Sequence, residues 1–284
     1  MKEVIFDALL DTIKLIPFLF IAFLIIEVIE HKLSNKSKKV ITKSKKYGPV
    51  LGALLGALPQ CGFSVMATNL YVTRIISLGT LISIYLSTSD EMLPILISEK
   101  APFNLILKIL LIKVLLGIIY GILIDILFNR IFRRKEKENF EICDKEHCHC
   151  EEHILLSALK HTIKIAIFIL ATTFIINIFF HFVGEEYLSK ILLKNTILGP
   201  LITCLIGLVP NCGASVIITE LYLNNSISLA ALISGLLSSS GTALLVLFKS
   251  NKNIKENIFI LSLLYLIGVF TGIILELINL INKM

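Results

Sequence analysis

Hydrophobic positions run almost unbroken through Ile13–Ile29, Phe103–Phe128, Ile163–Phe182 and Ile258–Ile281. A helix needs about 20 residues to cross about 30 Å of hydrocarbon, and these four runs predict membrane-crossing helices. Two other apolar stretches are interrupted. Gly48–Leu58 is glycine-rich and reaches only about half a membrane thickness. Pro59 then removes a backbone donor, and Gly62 permits angles that a helix does not use. Phe63–Val72 reads as a second helical piece. Farther on, Leu81–Leu86 runs into Ser87-Thr88-Ser89-Asp90-Glu91 before Met92-Leu93-Pro94 resumes. Irregular backbone at membrane depth is tolerated only inside protein or beside a polar cavity, so both interruptions predict broken or re-entrant helices.

The same pattern occurs twice. Pro59-Gln60-Cys61-Gly62-Phe63-Ser64 is matched by Pro210-Asn211-Cys212-Gly213-Ala214-Ser215, an offset of 151 residues (210 − 59). Over Gly48–Glu91 against Gly199–Thr242, without a gap, 21 of 44 positions are identical, far more than shared apolar composition brings. The likeness extends outward. Thr12-Ile13-Lys14 meets Thr162-Ile163-Lys164, and Gly117-x3-Gly121-x3-Asp125 meets Gly268-x3-Gly272-x3-Glu276. Such self-similarity decides the architecture before any local reading. The expected fold is an all-α integral membrane protein of two inverted-topology repeats, with ten helical segments in total. The repeats span 1–129 and 154–284, joined by a polar linker, 130–153.

Charge sets the orientation. The loop His31–Lys46 holds seven lysines, a strong cytoplasmic signal, whereas its counterpart Gly184–Thr196 pairs Glu185 and Glu186 with Lys190 and Lys194. Equivalent loops of opposite bias fit two halves inserted in opposite senses, the common plan of secondary transporters. Crossing counts of three or five per half are both odd, and both give inversion. A mean hydropathy of +0.86 with 56% hydrophobic residues marks a multi-pass protein of the cell membrane, with the bilayer as its first partner. The net charge of +6 sits in loops beside helices and is no argument for nucleic acid. No basic n-region or cleavage site opens the chain, so no signal peptide is expected. A homodimer is compatible with this plan.

Six cysteines divide evenly. Cys61, Cys204 and Cys212 lie at membrane depth; Cys143, Cys148 and Cys150 lie in the linker, which Arg130, Arg133, Arg134 and Lys135 mark as cytoplasmic. With His147, His149 and His153 they form a dense thiolate and imidazole cluster, suited to zinc, copper(I) and other thiophilic metals. That cluster reads as a sensing or delivery site. No permanently bound cofactor is expected, only a transported or sensed metal ion.

The candidate substrate site follows from the paired interruptions: Pro59, Gln60, Cys61, Gly62 and Ser64 with Pro210, Asn211, Cys212, Gly213 and Ser215. The serine-rich breaks add Thr88, Ser89, Asp90 and Glu91 in one half and Ser239, Ser240 and Thr242 in the other. Two adjacent carboxylates amid apolar residues cost several kcal/mol (roughly) unless paired, hydrated or neutralised, which favours a cation or proton site. Lys113 lies deep enough in its helix to pair with Asp90 or Glu91. The Gly-x3-Gly-x3-acid runs read as close helix packing.

The motifs Gln60-Cys61-Gly62-Phe63-Ser64, Asn69-Leu70-Tyr71, Arg74, Leu78-Gly79-Thr80-Leu81 and Thr88-Ser89-Asp90-Glu91 resemble a family of bacterial and archaeal permeases. Its members are described as ten-helix heavy-metal exporters and labelled arsenic-efflux proteins or manganese transporters, distantly related to ArsP-type permeases. The resemblance implies export of a heavy-metal or metalloid ion. It also implies an acidic residue in the second half where this chain has Ser238–Thr242; Glu220, facing Asn69 across the repeat, is the candidate for that missing charge. No Gly-x4-Gly-Lys-Ser/Thr run is present, so the expected mechanism is secondary-active rather than ATP-driven, and not enzymatic. Two other readings use the same cysteines: a thiol–disulfide carrier of CcdA-like type that exchanges electrons between Cys61 and Cys212, and a sulfur-compound permease.

Overall fold

The structure, a computed structural model, describes most positions between 9 and 24 and residues 47–58, 61–89, 91–131, 154–183 and 198–283; for some, Cys61 among them, it describes the backbone alone. Every regular element among these residues is a helix. The first half contains α1 (within 9–24), α2 (Gly48–Gly56), α3 (Cys61–Val72), α4 (Leu78–Ser87), α5 (Met92–Ser98) and α6 (Phe103–Ile131). The second contains α7 (Ile154–Val183), α8 (Leu198–Gly207), α9 (Gly213–Leu223), α10 (Leu229–Ser238), α11 (Ala243–Ser250) and α12 (Ile254–Lys283). With α4/α5 and α10/α11 each taken as one interrupted helix, the described residues form ten segments, five per half.

Helix α2 has 9 residues and α3 has 12, so they rise about 14 and 18 Å, each well short of a bilayer. The interrupted reading of this stretch is therefore correct, and α3 begins at Cys61, two residues before the sequence pattern places it. Helices α6 and α12 are full length and expose Leu107, Leu111, Leu115 and Ile119, or Leu266, Phe270 and Ile274. An apolar face turned outward is what lipid requires. The α10–α11 segment is the reverse. It is 89% buried, against 28% for Phe103–Leu127 and 33% for Ile254–Ile278, so the broken helix lies at the centre and α6 and α12 at the edge.

Each half packs through the same contacts. Helix α4 lies between α2 and α6, and α10 lies between α8 and α12. Small residues permit the approach. A Cβ on Gly121 would sit 2.8 Å from the Gly79 carbonyl, and one on Gly272 would sit 2.7 Å from the Cβ atoms of Pro200 and Ser234. The acid ending each run caps the neighbouring helix. Asp125 accepts from the Ser77 hydroxyl at 2.7 Å and the Gly79 N–H at 2.9 Å, and Glu276 accepts from Ser228 at 2.7 Å. Ser77 and Ser228 are themselves the N-caps of α4 and α10. A carboxylate at a helix N-terminus also meets the positive end of the macrodipole. Packing, as the sequence pattern predicts, is what these runs do.

The halves interlock. Helix α3 packs on α11 of the other half, and α9 packs reciprocally on α5. Tyr120 and Thr271, equivalent positions 151 residues apart, meet at 3.1 Å between their hydroxyls. Contact between equivalents is the mark of an isologous, two-fold arrangement. Its sense is fixed by Arg74, which precedes α4/α5 and bonds Glu256, which follows α10/α11. The beginning of one interrupted helix thus lies beside the end of the other. The two run antiparallel, as inverted repeats require. Both apolar clusters draw residues from both halves, for example Tyr85 with Ile233 in one and Met92 with Ile218 in the other.

Candidate functional site

The two breaks lie at the repeat interface, and they differ in chemistry. In the first, the hydroxyls are satisfied locally. Ser87 donates to the Ser83 carbonyl at 2.9 Å, Thr88 to that of Ile84 at 2.7 Å, and Ser89 to that of Ala57 at 2.7 Å. Asp90 lies outside the described residues, and Glu91 sits half-buried at the start of α5. Helix α9, which carries Glu220, packs on α5 and so brings that residue's helix to the first, acidic break. The same helix also packs on α10, and α3, which carries the equivalent Asn69, packs on α11 of the second break.

The second break holds Ser239, Ser240, Gly241 and Thr242. Gly241 adopts φ 55°, a left-handed conformation that glycine takes without steric cost, and this turns the chain from α10 into α11. The hydroxyls of Ser239, Ser240 and Thr242 are buried and have no hydrogen-bond partner among the described residues; neither has Asn69 Nδ2. Asn69 follows Thr68, whose hydroxyl is 3.5 Å from the carbonyl of Ala243, the first residue of α11. Burying an unsatisfied polar group costs about 1–3 kcal/mol. Four of them gathered on α3 and the α10–α11 turn are a concentrated expense in one place, and each such group calls for an explanation.

Between the breaks lies Lys113, 1% exposed. Its ammonium donates to the carbonyl of Thr88, the C-cap of α4, and at 2.9 Å to that of Leu236 near the end of α10. Two antiparallel half-helices present their C-terminal ends here, each carrying roughly −0.5 of a charge, and the buried cation compensates both. The repeat-equivalent of Lys113 is Leu264 (113 + 151), so this charge is supplied once. The predicted partner Asp90 lies outside the described residues; the carbonyls of two helix ends are partners that no sequence spacing reveals.

The Pro-x-Cys-Gly-x-Ser copies are only partly within the described residues: Pro59, Gln60 and the Cys61 side chain lie outside them. In the second copy, Asn211 is 2% exposed and its Oδ1 accepts from the Gly213 N–H at 3.2 Å, so it holds the turn after Pro210. Ser215 donates to the Cys212 carbonyl at 2.8 Å. Cys212 is buried, forms no disulfide and precedes α9. Gly62 and Ser64 are buried in the first two turns of α3, where the Ser64 carbonyl accepts from Thr68 at 2.8 Å. Cys204 forms no disulfide either; it donates to the Tyr265 carbonyl at 3.4 Å and packs where Gly268 leaves room.

Among the described residues no three His, Cys, Asp or Glu side chains gather as a metal site. Linker residues Cys143, His147, Cys148, His149, Cys150 and His153 lie outside them. A cavity of about 350 Å³ opens away from the breaks, between α2, α3 and the turn before α4. Leu51, Leu55, Phe63, Met66, Ile76 and Ile84 line it, and no charged group does, so its chemistry is that of an acyl chain rather than an ion.

One cluster was missed by sequence reasoning. Arg74 donates to both Glu256 oxygens, at 2.8 and 3.1 Å, and lies over the Tyr71 ring, whose hydroxyl also donates to Glu256. Arg74 adopts φ 65°, which costs a non-glycine residue about 1–2 kcal/mol. An arginine aligned with Asn225, a residue that tolerates this conformation, was the available signal.

A family described as "Putative, 10TM heavy-metal exporter" matches the chain twice, over residues 1–165 and again over 151–284. One description thus fits each half in turn, as a repeat requires. No curated protein and no solved structure matches the chain.

Proposed function

Because the chain belongs to the ten-helix heavy-metal exporter family, a family of membrane transporters, we propose that it is a secondary-active permease of the cell membrane that exports a metal or metalloid ion through the interface of its two halves. The observation that carries this reading is the group of unpartnered buried polar atoms on Asn69, Ser239, Ser240 and Thr242. Three of them lie at the turn of a broken, central helix and the fourth on α3 packed against it, an arrangement like that in which inverted-repeat transporters bind substrate. Cys61 and Cys212 supply soft ligands from the neighbouring breaks, and Asp90 and Glu91 bind or relay the coupling cation. The linker cysteines and histidines sense or deliver the metal on the cytoplasmic side. The redox and sulfur-permease readings draw on the Cys61–Cys212 pairing alone and gain no further support from the packing.

Everted vesicles containing the protein, offered manganese, zinc, cadmium and arsenite together and assayed by elemental mass spectrometry, test the proposal. Accumulation of a thiophilic element that is lost both in Ser240→Ala/Thr242→Val and in Cys61→Ser/Cys212→Ser is the expected result. Manganese uptake that survives loss of the cysteines moves the site to the acidic break. Uptake of no element overturns the exporter reading.

A further inference from the structure

The two-fold relation makes the ends of the molecule comparable residue by residue, and one contact breaks it. At one end the turn between α3 and α4 is fastened to α12 by Arg74, Tyr71 and Glu256, with Glu256 only 10% exposed. The equivalents at the other end are Asn225 (74 + 151), Tyr222 (71 + 151) and Leu105 (256 − 151). Leu105 offers no carboxylate, and the Tyr222 hydroxyl has no hydrogen-bond partner among the described residues. The backbone of the two turns is nevertheless the same. Asn225 adopts φ 56° beside the 65° of Arg74, and the Arg74 and Asn225 N–H groups bond the carbonyls of Tyr71 and Tyr222, both at 2.9 Å. Asparagine suits that left-handed position and arginine does not. The first turn thus bears strain that the second avoids, and what it gains is a bidentate, partly buried ion pair to the other half.

We propose that Arg74, Tyr71 and Glu256 form a one-sided gate of the transport cycle. The ion pair holds closed the end of the bundle where the α3–α4 turn meets α12, and this end opens only when the pair breaks. The opposite end is joined by apolar contacts around Leu105 and Ile227, with no counterpart of this ion pair among the described equivalents Asn225, Tyr222 and Leu105. The resting protein is therefore biased toward the state closed at the Arg74 end, because only differential contacts between two states can shift their populations. This inference rests on the transporter reading for its purpose, though its geometry does not depend on any substrate.

Hydrogen–deuterium exchange on the full chain in lipid nanodiscs, without substrate, tests it. Matched amides report on the two ends: Arg74 and Ile75 at one, Asn225 and Ser226 at the other, all hydrogen-bonded in the same pattern. Arg74→Asn removes the guanidinium while relieving the backbone, and Glu256→Gln removes the charge from the other side. Both variants are expected to raise exchange in 73–77 and 252–257 at least tenfold, with exchange in 224–228 and 101–106 unchanged or slower. Equal acceleration at both ends marks a merely structural ion pair and overturns the gate, as does unchanged exchange at the Arg74 end. Because no substrate is present, failure of the metal-uptake assay leaves this result standing, and failure here leaves the exporter reading untouched.

Discussion

The two central breaks began as copies and now differ in almost every polar property. The first keeps its hydroxyls bonded to nearby carbonyls and carries Glu91, with the helix of Glu220 packed against it. The second carries no carboxylate, and among the described residues its three hydroxyls and the Asn69 amide nitrogen on α3 have no partner. Each break is completed by a helix from the opposite half, so divergence in one repeat changes the chemistry of both. A symmetric pair of carboxylate sites would serve two like ions. An acidic break opposite a neutral, donor-rich one suits two different tasks, coupling on one side and substrate on the other.

The largest expected effect tests what the breaks share. Lys113→Leu, which installs the residue found at the equivalent position, leaves two helix-end carbonyls without their charged partner. Each such hydrogen bond contributes about 1.5–3 kcal/mol. Thermal unfolding in detergent should show destabilisation of about 3 kcal/mol or more, together with loss of transport; a melting curve like that of wild type sinks the charge-compensation account. Next comes the division of tasks. Glu91→Gln is expected to preserve substrate exchange between equal compartments while lowering uphill accumulation at least tenfold, whereas Thr242→Val lowers both. If the two variants behave alike in paired exchange and accumulation assays, the breaks are not specialised.

A smaller effect concerns stability. Replacing an unpartnered buried hydroxyl by an apolar group is neutral or stabilising. Ser240→Ala and Thr242→Val are therefore expected to unfold within about 1 kcal/mol of wild type, or later, while transport falls. Earlier unfolding would mean that these hydroxyls have structural partners. The smallest effect marks where the halves remain alike. Ser83 and Ser234 bond the carbonyls of Pro49 and Pro200, at 2.5 and 2.9 Å. Ser83→Ala and Ser234→Ala should each cost about 1 kcal/mol, with transport kinetics unchanged. Unequal costs in matched unfolding curves would show that divergence reaches beyond the breaks.

Much of this was legible in the sequence. The 151-residue offset, the long apolar runs and the small-x3-small spacing depend on local chemistry and on solvation by lipid, so they dictate helices, a repeat and its close packing without any partner being known. The breaks were legible too, because Pro59 and Pro210 remove a backbone donor between two short apolar runs, and the polar runs Ser87–Glu91 and Ser238–Thr242 interrupt apolar ones. The partners across the interface were not. Nothing in spacing says that α3 packs on α11 of the other half, that α9 packs reciprocally on α5, or that Lys113 answers the carbonyls of two helix ends. The hydrogen bonds that join the halves link residues 123 to 185 apart, as for Lys113 with Leu236 and Tyr71 with Glu256. Sequence periodicity decides which face of a helix is apolar. Which other face it meets depends on how all the helices fill one volume together, and only the tertiary structure decided that.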